Sequence, residues 1–158
     1  MRRSVGYFGA GMDPKFTLPS EMVRDASISG NEYGWPLRAF PNAVRQAESL
    51  MYACLGGQFQ FRAQAGTCEM YWLSANPLDR QPSESWKGFS TRSCAEVLNR
   101  FEQIVSETDF EAQALQWPAL KSEMERGFDV IATLVFVAYF VTEPEWLTDR
   151  PPANQNPS

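Results

Sequence analysis

Residues 57–73 contain two runs in which apolar and polar side chains alternate, and both runs agree on one apolar face. The apolar positions are Phe59, Phe61, Cys68, Met70 and Trp72. Alternation with a period of two is typical of strands that bury one face. A four-residue loop at 63–66 would pair Arg62 with Thr67, Phe61 with Cys68, Phe59 with Met70 and Gly57 with Trp72. The pattern therefore predicts a β-hairpin in this register, because a slip of one residue would expose half of the apolar set.

Three other segments show helical spacing. Residues 41–55 begin with Pro41 and precede Gly56 and Gly57, so we expect a helix with a glycine stop. Residues 83–107 carry a long apolar stripe, with Ser83 as the expected N-cap. Residues 109–126 follow a capping box that starts at Thr108, and Pro118 should interrupt and restart this helix.

The stripe of the 83–107 helix needs an apolar partner, and the apolar hairpin face is the nearest candidate. The predicted core unites both sets, which are Phe59, Phe61, Met70, Trp72, Trp86, Val97, Leu98, Phe101, Ile104 and Val105. Residues 129–141 are almost continuously apolar and rich in β-branched side chains, which favours a central strand over the alternative of a buried helix. The sequence thus predicts a two-layer α+β fold, with an antiparallel sheet of the 57–73 hairpin and the 129–141 strand against helices 41–55, 83–107 and 109–126.

The two ends of the chain lack this periodicity. Residues 1–40 are rich in Gly, Pro and Ser but also in aromatic side chains, so we expect an irregular arm that packs over the core. Within it, a short strand at 5–8 and a helical turn after Ser20 are expected. Residues 147–158 are polar and proline-rich, which predicts a disordered tail behind a single domain at 1–146.

Composition narrows the class of partner. The chain has 158 residues and a formal net charge of -5, which argues against nucleic acid and anionic membrane and favours a protein with a basic surface. The longest apolar run, at 130–141, is much shorter than the roughly 20 residues of a membrane helix. Glycines follow Arg2 and Arg3 where a signal peptide would be apolar, so a cytoplasmic location is expected. The three cysteines, Cys54, Cys68 and Cys94, have no CxxC spacing and are expected to be reduced and buried.

The residue types exclude much catalytic chemistry. The chain has no His, which removes Ser-His-Asp and Cys-His nucleophiles and histidine metal sites. Glycines at 6–11 do not follow a nucleotide-binding order, and the acids lack calcium-loop spacing. Carboxylate chemistry remains open, with Glu32 and Glu69 as candidates. However, the chain has 19 Asp and Glu residues, and most acids of this kind are solvated surface carboxylates. We therefore expect no cofactor, no metal and no catalytic residue.

Two polar surfaces are the candidates for binding a partner. The first is the polar face of the hairpin, formed by Gln58, Gln60, Arg62, Glu69 and Tyr71. The second is an acidic run at a helix junction, formed by Glu102, Glu107, Asp109 and Glu111. Each surface also has a purely structural explanation, since a one-sided sheet shows polar residues to water and acids favour helix N-termini.

In size, charge and architecture the chain resembles the small immunity proteins that bacteria keep against their own or a neighbour's toxins, although no motif carries the resemblance. It implies a non-catalytic antitoxin-type inhibitor that covers a partner protein. A self-associating structural module and a small carboxylate-dependent enzyme are the alternatives, and a homo-oligomer is compatible with the former.

Overall fold

The computed structural model describes residues 17–149, with side chains described for 17–148. The elements in chain order are α1 (Ser20–Val23), β1 (Ser27–Ser29), β2 (Glu32–Pro36), α2 (Phe40–Ser49), β3 (Ala53–Ala63), β4 (Gly66–Ala75), α3 (Trp86–Glu107), α4 (Phe110–Ala114), α5 (Pro118–Glu125), a 3-10 helix (Ile131–Thr133), β5 (Leu134–Val141) and α6 (Glu143–Asp149). The strands form one sheet in the order β1-β2-β5-β3-β4, and every neighbouring pair is antiparallel. The predicted α+β class with helices against an antiparallel sheet is confirmed.

The strand predicted at 129–141 is confirmed as the central strand of the sheet. β5 lies between β2 and β3, and all eight of its residues are buried. It begins at Leu134 rather than at residue 129, because Ile131–Thr133 form a 3-10 turn first. Burial on both faces accounts for the continuous apolar run, which periodicity alone could not separate from a buried helix.

The core lies between the sheet and helices α2 and α3. Phe101 of α3 stacks on Phe59 of β3 with ring centroids 5.5 Å apart, and Phe136 of β5 meets both rings edge-on. Phe40 packs on Phe101 at 4.8 Å. Most of the predicted core is confirmed in this cluster, namely Phe59, Phe61, Met70, Val97, Phe101 and Ile104, with Leu98 partly buried against it.

Three predicted core residues lie elsewhere. Trp72 and Val105 are exposed, and Trp86 belongs to a separate cluster with Phe89 and Trp146. Val105 lies at the edge of the apolar stripe of α3, where the packed sheet does not cover its side chain. Trp72 is displaced by a bulge described below.

Several predicted boundaries are wrong. The helix predicted at 41–55 ends at Ser49, because Met51 turns the chain with φ 65 and β3 begins at Ala53. The glycines at 56 and 57 therefore lie inside a strand. α3 begins at Trp86 behind Ser85, whose side chain accepts a hydrogen bond from the Gly88 amide, and not behind Ser83. The cap of α4 is Asp109 rather than Thr108, since the Asp109 side chain accepts from the Ala112 amide.

The ends of the chain also differ from expectation. The helical turn after Ser20 is confirmed as α1, but the arm predicted as irregular up to residue 40 contains the strands β1 and β2. Both are too short for a periodic signal. The strand predicted at 5–8 lies outside the described residues. α6 continues to Asp149, so the disordered tail predicted from residue 147 is wrong for its first residues, and the rest lies outside the described residues.

Candidate functional site

A bulge in the edge strand β4 is the feature that sequence reasoning missed. The pairs Phe59 with Met70, Phe61 with Cys68 and Arg62 with Thr67 are confirmed, and the turn is tighter than expected because Ala63 pairs with Gly66. Beyond Met70 the predicted pair of Gly57 with Trp72 is wrong. Gly57 faces Ala75 and Gln58 faces Ser74, so the register shifts by three residues between Met70 and Ser74. The bulge turns Trp72 out of the core.

Trp72 is exposed but held in place. Its exposed fraction is 53 %, yet its indole N–H donates to Gln113 Oε1 at 3.0 Å. Its ring also stacks on Trp117, with centroids 6.4 Å apart and planes 17° apart. Tyr71, which is 62 % exposed, precedes it on the bulge. The edge of the sheet therefore presents two large aromatic side chains, one of which is fixed by contacts from α4 and the segment before α5.

One residue of the acidic run, Asp109, lies near Gln113, the hydrogen-bond partner of Trp72. Gln113 lies one helical turn after Asp109, and the Gln113 amide donates to the Asp109 carbonyl at 3.1 Å. All four residues of the run, Glu102, Glu107, Asp109 and Glu111, are exposed. Asp109 is also a helix cap, while Glu102 and Glu107 project from the last turns of α3. The fold thus connects Trp72 with Asp109 through Gln113, although the two are far apart in sequence. We call these residues, Tyr71, Trp72, Glu102, Glu107, Asp109 and Glu111, the hairpin-edge surface.

The polar face of the hairpin is not the open surface that alternation predicted. Gln58 and Gln60 are buried, the latter with 1 % of its surface exposed. Gln58 Nε2 donates to Glu69 Oε1 at 3.2 Å, and Arg62 Nε donates to Gln60 Oε1 at 2.8 Å. These side chains hold one another in place, so Tyr71 alone of the predicted set is widely exposed to a partner.

Arg62 links β3 to the β1–β2 hairpin through hydrogen bonds. Its Nη1 donates to the Ser27 carbonyl and to Ser27 Oγ, both at 2.9 Å, and its Nη2 donates to the Glu32 carbonyl at 3.0 Å. Burial lowers the pKa of this guanidinium, and the nearby Glu32 charge opposes that change. Gly34 supplies the space, because a Cβ there would lie 2.9 Å from Arg62 Cζ. Glu32 is itself occupied, since Tyr139 Oη donates to its Oε2 at 2.6 Å.

The two carboxylates that remained open for catalysis are thus engaged in structural hydrogen bonds. Glu123, on α5, is a third buried acid and accepts the Ala65 amide of the hairpin turn at 2.7 Å. It fixes the tip of the hairpin against α5. Among residues 17–148, no group of three or more Asp, Glu, Cys and His side chains is placed to hold a metal ion.

The three cysteines are free and buried, as predicted. Burial raises the pKa of the Cys94 thiol to about 12, with the Glu48 charge adding to the effect. Burial likewise raises the pKa of Cys54, with Cys94 adding to the effect. Thiols in this environment are poor nucleophiles, because the thiolate is the reactive form.

In comparisons with known proteins, the chain matches no protein-family model, no curated protein and no solved structure. Across residues 17–149, none of the helices has the length and apolar character needed to cross a membrane.

Proposed function

We propose that this chain is a non-catalytic protein-binding domain of the immunity or antitoxin type, which acts in the bacterial cytoplasm by covering a basic surface on a toxin or effector. The observation that carries the proposal is the pair of exposed aromatic side chains on the bulge of β4. Tyr and Trp are enriched among the residues that carry most of the binding energy of protein interfaces.

The fixed geometry of Trp72 supports this role. Its contacts with Gln113 and Trp117 restrict the side chain before any partner arrives. Less conformational entropy is then lost on binding than for a freely rotating side chain. An exposed indole that served packing alone would not need a hydrogen bond to orient it.

The chemistry of the surface favours a basic partner. Exposed aromatic faces attract Arg and Lys by cation–π interaction, and the acidic run beside them offers carboxylates for charge-assisted hydrogen bonds. The formal net charge of -5 adds a long-range attraction for a basic protein.

The test begins with the partner. The full chain is mixed with candidate basic toxins, chosen from the reading frames next to its own, and complex formation is measured by calorimetry. We expect one toxin to bind and to lose its activity in the complex. Trp72→Ala should weaken binding by tenfold or more, since truncating an interface centre costs about 2 kcal/mol or more.

The matched control for Trp72 is Leu78→Ala. Leu78 is also a large exposed apolar side chain, but it lies in the loop after β4, where its amide donates to Glu96 of α3. The Leu78→Ala variant should leave the affinity for the toxin unchanged. Equal loss in both variants, or none in Trp72→Ala with a bound toxin, would place the interface elsewhere, and a concentration-dependent dimer without any partner would favour the self-associating module.

A further inference from the structure

One face of the Trp72 ring is stacked and the other is open. The stacked face lies on Trp117, with the ring planes 17° apart, and the indole N–H donates to Gln113. Within residues 17–148, no other aromatic ring stacks on Trp72 and no guanidinium or ammonium group lies over it. The side chain is 53 % exposed, and because one face is stacked, the exposed part includes the opposite one. We call the side of the ring turned away from Trp117 the open face.

Other aromatic rings of the described chain carry an arginine of the chain itself. The distances from the guanidinium Cζ to the ring centre are 5.1 Å for Arg80 over Trp86, 5.4 Å for Arg92 over Phe89 and 5.1 Å for Arg126 over Phe128. Phe128 is the nearest comparison, since it is 48 % exposed. Trp attracts a cation more strongly than Phe or Tyr does. Trp72 is therefore the exposed ring best suited to a cation, and the described chain supplies none.

The fixed plane of the Trp72 ring favours a guanidinium over an ammonium group. A guanidinium is planar, weakly hydrated and able to stack flat on an aromatic ring. An ammonium group is a compact, strongly hydrated point charge, which gains less from a ring held in one plane. A guanidinium that lies flat also keeps the N–H donors at its edge free for carboxylates.

Asp109 brings a carboxylate to the same side of α4 as Gln113. The two residues are four apart, and the Gln113 amide donates to the Asp109 carbonyl at 3.1 Å. Side chains four apart lie one turn from each other on one side of a helix. Asp109 is exposed, and its Oδ1 accepts the Ala112 amide at 3.0 Å. Its second carboxylate oxygen remains for a donor that a partner brings.

We propose that the open face of Trp72 binds an arginine side chain of the protein partner, with the guanidinium stacked on the indole and Asp109 accepting one of its N–H groups. The inference rests on the proposed function, because it names the side chain that the partner presents. It adds a preference for arginine over lysine. A general attraction between an acidic and a basic protein gives no such preference, since both side chains carry one positive charge.

The test uses two capped tetrapeptides of equal charge, one of arginines and one of lysines, titrated separately into the full chain. Binding is followed by NMR on the isotope-labelled indole N–H groups of the five Trp residues. We expect the arginine peptide to shift the Trp72 signal and to bind about threefold more tightly than the lysine peptide, or better. The Trp35 signal should stay in place, because its N–H is buried and donates to the Met22 carbonyl at 2.7 Å. Equal affinities, binding of neither peptide, or shifts that spare Trp72 would overturn the proposal.

Three variants separate the ring from general charge. Trp72→Leu should bring the ratio of the two affinities to about one, because only the charge attraction remains. Asp109→Asn keeps an oxygen to cap α4 and should lower the ratio without abolishing it. Phe128→Leu is the matched control, since it removes a similarly exposed ring that Arg126 already covers, and should leave the ratio as it was.

An unchanged ratio in Trp72→Leu or in Asp109→Asn, or an equal fall in Phe128→Leu, would contradict the arginine site. If Trp72→Leu does not fold, Asp109→Asn and the titration of the native chain decide. The result is separable from that of the toxin experiment. An arginine preference in a chain that neutralises no toxin would support this site and contradict the antitoxin role. A toxin complex that Trp72→Ala weakens, in a chain that binds both peptides equally, would support the proposed function and overturn arginine recognition.

Discussion

At the residue scale, Glu84 shows how one side chain can organise a loop. Its carboxylate accepts from Arg92 Nε at 2.7 Å and from Arg92 Nη2 at 2.9 Å, and it also accepts the Gln81 amide at 3.0 Å. Arg92 in turn donates to the carbonyls of Leu78 and Asp79. The loop between β4 and α3 is thereby tied to the side of α3.

The first prediction concerns pH. The Arg92 hydrogen bonds lower the pKa of Glu84 from 4.5 to about 2. A carboxyl whose pKa is lower in the folded state stabilises the fold above its unfolded pKa and loses that contribution as pH falls. We therefore expect unfolding free energy to decline between about pH 4.5 and 2, and to decline less in Glu84→Gln. NMR titration should show a clearly higher Glu84 pKa in Arg92→Met, although the Gln81 amide still lowers it, and an unchanged low pKa there would disprove the assignment.

The second prediction concerns Phe101, which touches Phe40, Phe59 and Phe136. Phe101→Ala should lower the unfolding free energy by about 3 to 5 kcal/mol, because it leaves a cavity among rings that cannot close around it. Val105→Ala, one turn further along α3 and 36 % exposed, should cost about 0.5 kcal/mol. Chemical denaturation measures both. Similar losses in the two variants would mean that α3 is rotated about its axis.

The third prediction concerns the thiols. Because burial raises the pKa of Cys54, Cys68 and Cys94, all three should react slowly with a thiol reagent until denaturant is added. Cys68 lies nearest the hairpin turn and should be the first to react on partial unfolding. Fast labelling of Cys54 or Cys94 in the native protein would contradict their placement in the core.

At the element scale, the hairpin shows what alternation can and cannot predict. The period of two placed Phe59, Phe61 and Met70 correctly because each contributes to a single buried face. It could not reveal the bulge, since residues 71–73 continue the alternation while leaving the ladder. One feature of the sequence did indicate the bulge, because Leu73 fell on a face of the predicted hairpin that was otherwise polar. Short strands such as β1 and β2 had no signal, because three to five residues are too few to show a period.

Sequence patterns predicted only part of the hairpin-edge surface. The acidic run was identified because exposed acids at a helix junction are visible in sequence, and Tyr71 because it lay on the polar side of β4. Trp72, Gln113 and Trp117 were missed, since their contact depends on the bulge. Gln58 and Gln60 were assigned to solvent because alternation predicts which face a side chain takes and says nothing of what covers that face.

The fourth prediction tests the pairing of β3 with β5. Gly57 lies opposite Ala138, and a Cβ at this position would collide with the Val137 carbonyl oxygen and with the Phe136 ring. Backbone atoms of a central strand cannot move aside, so Gly57→Ala should cost about 3 kcal/mol of unfolding free energy. Ser74→Ala, on the neighbouring strand, serves as the control and should be nearly neutral. A neutral Gly57→Ala would show that β3 and β5 are not in this register.

At the scale of the whole molecule, two kinds of surface are separated by the sheet. The helix side of the sheet is closed by burial, and Val135, Val137 and Tyr139 on the opposite side are buried as well, whereas the hairpin-edge surface at β4 combines two exposed aromatic side chains with acids from two helices. Edge strands are sites where other chains add or dock, unless charge or a bulge prevents it. The bulge at 71–73 disrupts regular strand addition here, which favours recognition through side chains over extension of the sheet.

The last prediction separates the two parts of the hairpin-edge surface by their kinetics. Reversing Glu102, Glu107 and Glu111 to Lys should slow association with a basic partner and flatten its salt dependence, because exposed charges act mainly on the encounter. Asp109 is left intact since it caps α4. Tyr71→Ala should instead speed dissociation, because a side chain at an interface centre acts after docking. Reversal of Glu21, Asp25 and Glu48, three exposed acids on or next to α1 and α2, changes the net charge by the same amount, so it is the matched control and should change association less. Equal effects of the two charge reversals would mean that net charge, and not this surface, guides the partner.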